Sequence, residues 1–114
     1  MRRLSGAVSL AALATTARSM GRSVRIVDGG ADKKAALAAF AEGLALPDWF
    51  GKNLDALTDA LRDLADDTAR EIELVWDGTA LIARNDPKAY AALLTVLRDV
   101  EAERDDLHIT VIER

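Results

Sequence analysis

Three short runs rich in β-branched and apolar residues, 23–27 (SVRIV), 71–76 (EIELVW) and 107–112 (LHITVI), alternate with stretches whose apolar residues recur at helical spacing. This alternation restricts the fold more than any other feature. A strand followed by a helix returns the chain to the same end of the sheet, so successive strands pair in parallel through right-handed crossovers. The predicted order is α-β-α-α-β-α-β. The fold class that follows is α/β, with a three-stranded parallel sheet, packed helices and an extra N-terminal helix.

The helices are marked by their ends as well as by their periods. Ser9 is a candidate N-cap for a helix over 9–20 that stops near Gly21, with Leu10, Leu13, Ala14 and Ala17 on one face. Arg2 and Arg3 ahead of a small-residue stretch also resemble the start of a signal peptide, but Ser9, Thr15 and Thr16 dilute that stretch and the helical spacing accounts for it better. Asp28-Gly29-Gly30 breaks the first strand as a plain turn, since no phosphate-loop pattern follows it. A helix over 32–45 buries Leu37, Phe40, Ala41 and Leu44, and Pro47 ends it. Another spans about 53–65, and residues 79–84 hold one short helical turn. Asp86-Pro87 starts a last helix, running to about Arg104, with Tyr90, Leu93, Leu94, Leu97 and Val100 inward.

Composition then limits the chemistry. The 114 residues suit one domain, and half of them are hydrophobic. There are no cysteines, which excludes disulfides and thiolate metal sites and fits a reducing compartment, so a cytoplasmic location is expected. The single histidine, His108, excludes most His-based metal sites and triads. A net charge of −4 disfavours direct nucleic-acid binding and suits a basic protein partner instead. No apolar run is long enough to span a bilayer.

The helix over 53–65 is the informative one. Leu54, Leu57, Leu61 and Leu64 fall on one side of it, while Asp55, Asp59 and Asp66 fall on the other, with Asp63 close by and Asp67 just beyond. Aspartate is a poor helix former, and like charges four apart repel. Asp55 gains from the positive end of the helix dipole, whereas Asp63 sits at the wrong end. A solvated face is the ordinary reading of such a stripe. Yet the stripe follows a turn in which Trp49 and Phe50 are adjacent between Pro47 and Gly51. Two bulky neighbours in one tight turn are not both expected to bury, and an aromatic left at the surface beside charge is the usual makeup of an interface hot spot. Asp99, on the outer side of the last helix, adds a further carboxylate, with Glu103 four residues on.

The run from Leu44 to Leu61, with Leu46-Pro47, the Trp49-Phe50 pair, Gly51 and then Asn53-Leu54-Asp55-Ala56-Leu57, closely resembles the signature of the barstar family, inhibitors of the microbial ribonuclease barnase. The flanking order is similar too, over about residues 22–114. The resemblance implies a barstar-like domain over 22–114, with residues 1–21 as a helical extension packed on it. It implies that Asp59 enters the nuclease's phosphate site and that Asp55 is a second interface carboxylate. Trp49 and Asp99 match further contacts, and Gly51 and Asn53 lie in the contacting segment. The implied function is inhibition of a basic, barnase-type ribonuclease by an acidic helix that mimics phosphates. The sequence departs from the family in three respects. Thr58 stands where barstar has a large aromatic, there is no cysteine, and residues 1–21 extend beyond barstar itself.

Two other readings stay open at this stage. One is an immunity or antitoxin protein of the same fold directed at a different toxin nuclease, and the other a non-catalytic interaction domain. Asp55, Asp59 and Asp99 could in principle gather Mg²⁺ or act as an acid/base pair, but no nucleophile, cleft motif or histidine partner accompanies them. The chain is therefore expected not to be an enzyme, and to have no catalytic, cofactor or metal residues.

Overall fold

The computed structural model describes residues 1–114. Strands β1 (Arg2–Ser5), β2 (Arg22–Asp28), β3 (Glu71–Asp77) and β4 (Leu107–Glu113) form one sheet in the order β1-β4-β3-β2, with every neighbouring pair parallel. The helices are α1 (Leu10–Ser19), α2 (Lys33–Gly43), α3 (Leu54–Asp63), α4 (Ala80–Asn85) and α5 (Pro87–Glu103). No helix is long and apolar enough to cross a membrane.

The sheet has four strands, not the expected three. The sequence of β1, RRLS, has one large apolar residue and no β-branched one, so local preference does not select a strand there. Tertiary pairing does. β1 lies along β4 in the register Arg2↔Thr110 to Ser5↔Glu113, Arg2 Nε donates to Thr110 Oγ1 at 3.2 Å, and Arg3 pairs with Glu113. An edge position tolerates charged side chains because only one side of the strand meets the sheet. The remaining elements match expectation closely. Ser9 caps α1 by accepting from Ala12 N–H at 3.1 Å, and Asp86 caps α5 by accepting from Ala89 N–H at 3.2 Å ahead of Pro87.

The pleat sends alternate residues of β3 and β4 to opposite faces. Ile72, Leu74 and Trp76, with Leu107, Ile109 and Val111, join the main core built with Leu37 and Phe40 of α2, Leu57 and Leu61 of α3, and Leu93 and Leu97 of α5. Trp76 sits at its centre, 5.2 Å from the Phe40 ring and 5.6 Å from that of Tyr90, and its indole N–H donates to the Gly29 carbonyl at 3.3 Å. Val75 and Ile112 belong to the other face and lie outside that core, yet both are fully buried. Helix α1 lies over this face. Its own buried residues are Ala14 and Ala17, and it lines one cleft with Leu4, Arg22 and Glu73. The molecule therefore has three layers, with α1 on one side of the sheet and α2, α3 and α5 on the other.

Glu73 is a buried carboxylate within this second face. Arg22 Nη1 donates to it at 3.1 Å, Thr110 Oγ1 donates at 2.9 Å, and Arg2 Nη2 lies 3.6 Å away. Burying a charge without partners is costly, so these contacts bind all four strands into one polar unit. The Gly29-Gly30 pair is a packing device rather than a phosphate cradle. A Cβ on Gly29 would stand 2.0 Å from the Gly78 carbonyl oxygen, where the ends of β2 and β3 meet, and Gly30 takes φ +82°.

Candidate protein-docking face

The segment between α2 and α3 is held by backbone bonds at both ends. Leu46 N–H donates to Ala41 O at 2.8 Å, and Phe50 N–H donates to Pro47 O at 2.9 Å, closing a turn around Asp48 and Trp49. Ala45 and Lys52 bracket the turn in left-handed conformations, φ 52° and 49°. The two aromatics divide as expected. Phe50 is 8% exposed and belongs to the core, whereas Trp49 is 85% exposed.

Asn53 then starts α3. Its Oδ1 accepts from Ala56 N–H at 2.8 Å, so this side-chain oxygen is committed to the cap, while Nδ2 reaches the Gly51 carbonyl at 3.4 Å. Gly51 itself is exposed. Leu57 and Leu61 are fully buried, and Leu54 and Leu64 flank them, which fixes the rotation of the helix. Asp55 and Asp59 consequently face solvent on consecutive turns. Thr58 donates its hydroxyl to the Leu54 carbonyl at 2.8 Å and presents little to solvent.

Asp66 does not extend this stripe. The helix ends at Asp63, because Leu64 leaves helical geometry (φ −59°, ψ 126°) to bury its side chain. Asp66 turns back onto the sheet, where Arg25 Nη2 donates to it at 3.0 Å and the Thr68 hydroxyl and N–H donate at 2.6 and 2.7 Å. The Thr68 hydroxyl, then its N–H, and more weakly Ser23 and Arg25, hold the Asp66 carboxyl far below the ordinary range.

Two arginines organise the other end of α3. Arg104 Nη1 donates to the Leu61 carbonyl at 2.7 Å and to that of Arg62 at 3.3 Å, satisfying carbonyls that the helix end leaves free. Arg62 reaches across to α5, with Nε and Nη2 donating to the two oxygens of Glu103 at 2.8 and 2.9 Å, and its Nη1 stands 3.9 Å from Asp59 Oδ1. The hydrogen bonds that Arg62 donates to Glu103 chiefly, with the fields of Glu103, Asp59 and Asp99, raise the Arg62 pKa, and Arg62 in turn lowers that of Glu103. Asp59 precedes Arg62 by three residues on α3 and Asp99 precedes Glu103 by four on α5, so each carboxylate lies one turn from an end of the Arg62–Glu103 pair that joins the two helices. Asp55, Asp63 and Asp99 form no ion pair within the chain.

Beside this charge lies an apolar groove of about 430 Å³. Leu46, Pro47, Trp49, Ala60 and Leu64 line it, with Asp59 and Asp63 contributing carboxylates. An exposed indole, an apolar groove and adjacent unpaired charge form a surface suited to a protein partner. No cluster of three or more His, Cys, Asp or Glu side chains is placed to hold a metal ion. Sequence reading missed Arg62 and Arg104. Arg62 was legible as a cation three residues after Asp59 on a helix, but its pairing with Glu103 depends on the tertiary fold.

No curated protein is significantly similar to the chain. A family model described as Barstar (barnase inhibitor) matches residues 23–112, a span that contains the aromatic turn, α3 and α5. The match leaves β1 and α1 outside it and covers most of the chain, and on that ground the chain belongs to the barstar family.

Proposed function

We propose that this protein is a non-catalytic inhibitor of a basic, barnase-type ribonuclease, acting in the cytoplasm, and that α3 carries the inhibition. A ribonuclease holds phosphates with Arg, Lys and His. Asp55 and Asp59, about 6 Å apart along a helix axis that rises about 1.5 Å per residue, imitate neighbouring phosphates and accept charge-assisted bonds from those cations. Trp49 and Gly51 border them in the turn, Asn53 holds the helix start in place, and Asp99 adds charge from α5. The observation that carries this reading is the exposure of Asp55 and Asp59 on a helix whose rotation is fixed by buried leucines, next to an indole that is 85% exposed. A pre-ordered helix loses little entropy on docking. Residues 1–21 serve as an addition to a barstar-like unit of residues 22–114, bracing the sheet from its second face and edge rather than meeting the nuclease.

The test is RNA cleavage by a barnase-type ribonuclease mixed with the parent protein or with Asp59→Ala. Stranding buried cations without their carboxylate generally costs about 3–5 kcal/mol, so the substitution weakens inhibition at least about a hundredfold. Equal inhibition by parent and variant overturns the assignment. One feature favours a target other than barnase within this class, namely an immunity role against a related toxin nuclease. Thr58 is small and bonded back onto its own helix where barstar presents a large aromatic, so the complementary surface differs locally.

A further inference from the structure

The docking face is not uniformly acidic. Arg62 lies three residues beyond Asp59 and seven beyond Asp55, on the same side of α3, and half of its side chain is exposed. Its guanidinium is fixed by two short bonds to Glu103, at 2.8 and 2.9 Å, and stands 3.9 Å from Asp59. A cation brought to Asp59 by a partner therefore comes close to a positive charge that the fold holds in place. The same two bonds keep the Glu103 carboxylate occupied, so it is not free to receive a partner's cation.

We propose that Arg62, held by Glu103 beside Asp59, is a specificity-determining residue that disfavours a uniformly basic cleft and selects a ribonuclease whose cleft rim carries a carboxylate opposite it. The proposal rests on the inhibitory role given above. It commits the partner to a mixed pattern, in which cations face Asp55, Asp59 and Asp99 while an acidic group faces the Arg62–Glu103 pair. Selection of this kind works through repulsion of wrong partners as much as attraction of the right one.

The two residues of the pair give opposite signals, which separates recognition from a merely structural clamp between α3 and α5. Inhibition of a barnase-type ribonuclease whose cleft rim is uniformly basic, with no carboxylate placed opposite Arg62, is measured for the parent, Arg62→Ala, Glu103→Gln and Asp59→Ala, at low and at high salt, with thermal unfolding of each variant as the control for folding. Arg62→Ala removes the repelling charge and frees Glu103, so it inhibits about tenfold more strongly than the parent at low salt, with the gain shrinking at high salt. Glu103→Gln leaves Arg62 unneutralised and inhibits more weakly than the parent. If both substitutions act in the same direction, or neither changes inhibition while Asp59→Ala still abolishes it, Arg62 has no selective role and this proposal fails alone. If neither the parent nor Arg62→Ala inhibits, the inhibitory reading fails and takes the proposal with it.

Discussion

Replacing Phe50 and Trp49 by alanine, one at a time, separates the anchor of the docking turn from its exposed face. Phe50 is 8% exposed and packs in the core, whereas its neighbour is 85% exposed. A buried phenylalanine removes on the order of 150 Å² or more from water, which at about 25 cal/mol per Å² sets an upper figure near 4 kcal/mol. The site is at the rim of the core, where the turn can relax into part of the space vacated. We therefore place Phe50→Ala at about 3 kcal/mol, the low end of the usual range of about 3–5. Trp49→Ala removes almost no buried surface and should change stability by less than about 0.5 kcal/mol. Urea unfolding followed by far-ultraviolet circular dichroism reads both variants without relying on the indole being replaced. With a slope of about 1.5 kcal/mol per molar urea, the Phe50 variant unfolds about 2 M earlier and the Trp49 variant at the parent midpoint. The Trp49 loss is expected instead in ribonuclease inhibition. Equal shifts of the two midpoints, or a larger shift for Trp49→Ala, would mean that the rings do not divide the work between core and surface.

Two further predictions concern the segments on either side of α3. Ala45 is exposed and sits at φ 52°, a conformation that costs a residue with a Cβ about 1 kcal/mol, so Ala45→Gly should raise the unfolding midpoint by up to that amount, and a lowered midpoint refutes the strain argument. The Asp66 carboxyl titrates lower when folded than when unfolded, because Thr68 and Arg25 donate to its charged form. Its stabilising contribution is therefore complete above the unfolded value of about 4 and drains away as the pH falls below it. The difference in unfolding free energy between parent and Asp66→Asn should shrink from pH 7 to pH 3, and a gap of the same size at both pH values contradicts this.

Where the sequence was informative, the reason is burial. Leu57, Leu61, Leu93 and Leu97 recur at helical spacing because one face of each helix meets the sheet, and 71–76 and 107–112 alternate because Ile72, Leu74, Trp76, Leu107, Ile109 and Val111 all point into the main core. β1 left no such trace. Arg2 and Arg3 keep their side chains in solvent, and what makes the segment a strand is the edge of β4, which local sequence does not reveal. The placement of Asp66 with Asp55 and Asp59 failed for a related reason. Helical arithmetic holds only while the helix continues, and Leu64 ends it in order to reach the core. That Trp49 and Phe50 divide between surface and core was readable from their neighbours alone, whereas which ring goes where was not. The Arg62–Glu103 pair joins residues 41 positions apart, so it needed the packing of α3 on α5.

The carboxylates on and around α3 differ in how far the fold itself answers their charge. Asp55 lies in the first turn, where the dipole favours it. Asp66 is answered by Arg25 and Thr68, and Glu103 by two bonds from Arg62. Asp59 has left the first turn and meets Arg62 only at 3.9 Å, and Asp63 stands unpaired at the end where the dipole opposes it. These two, the least compensated of the set, both border the groove beside Trp49. Folding alone gives no reason to concentrate unanswered charge next to an exposed indole. A partner that brings cations to that groove does, and this coincidence of position is why the docking face is read from the solvent side of α3 and not from the loop that follows it, where Asp66 is already answered.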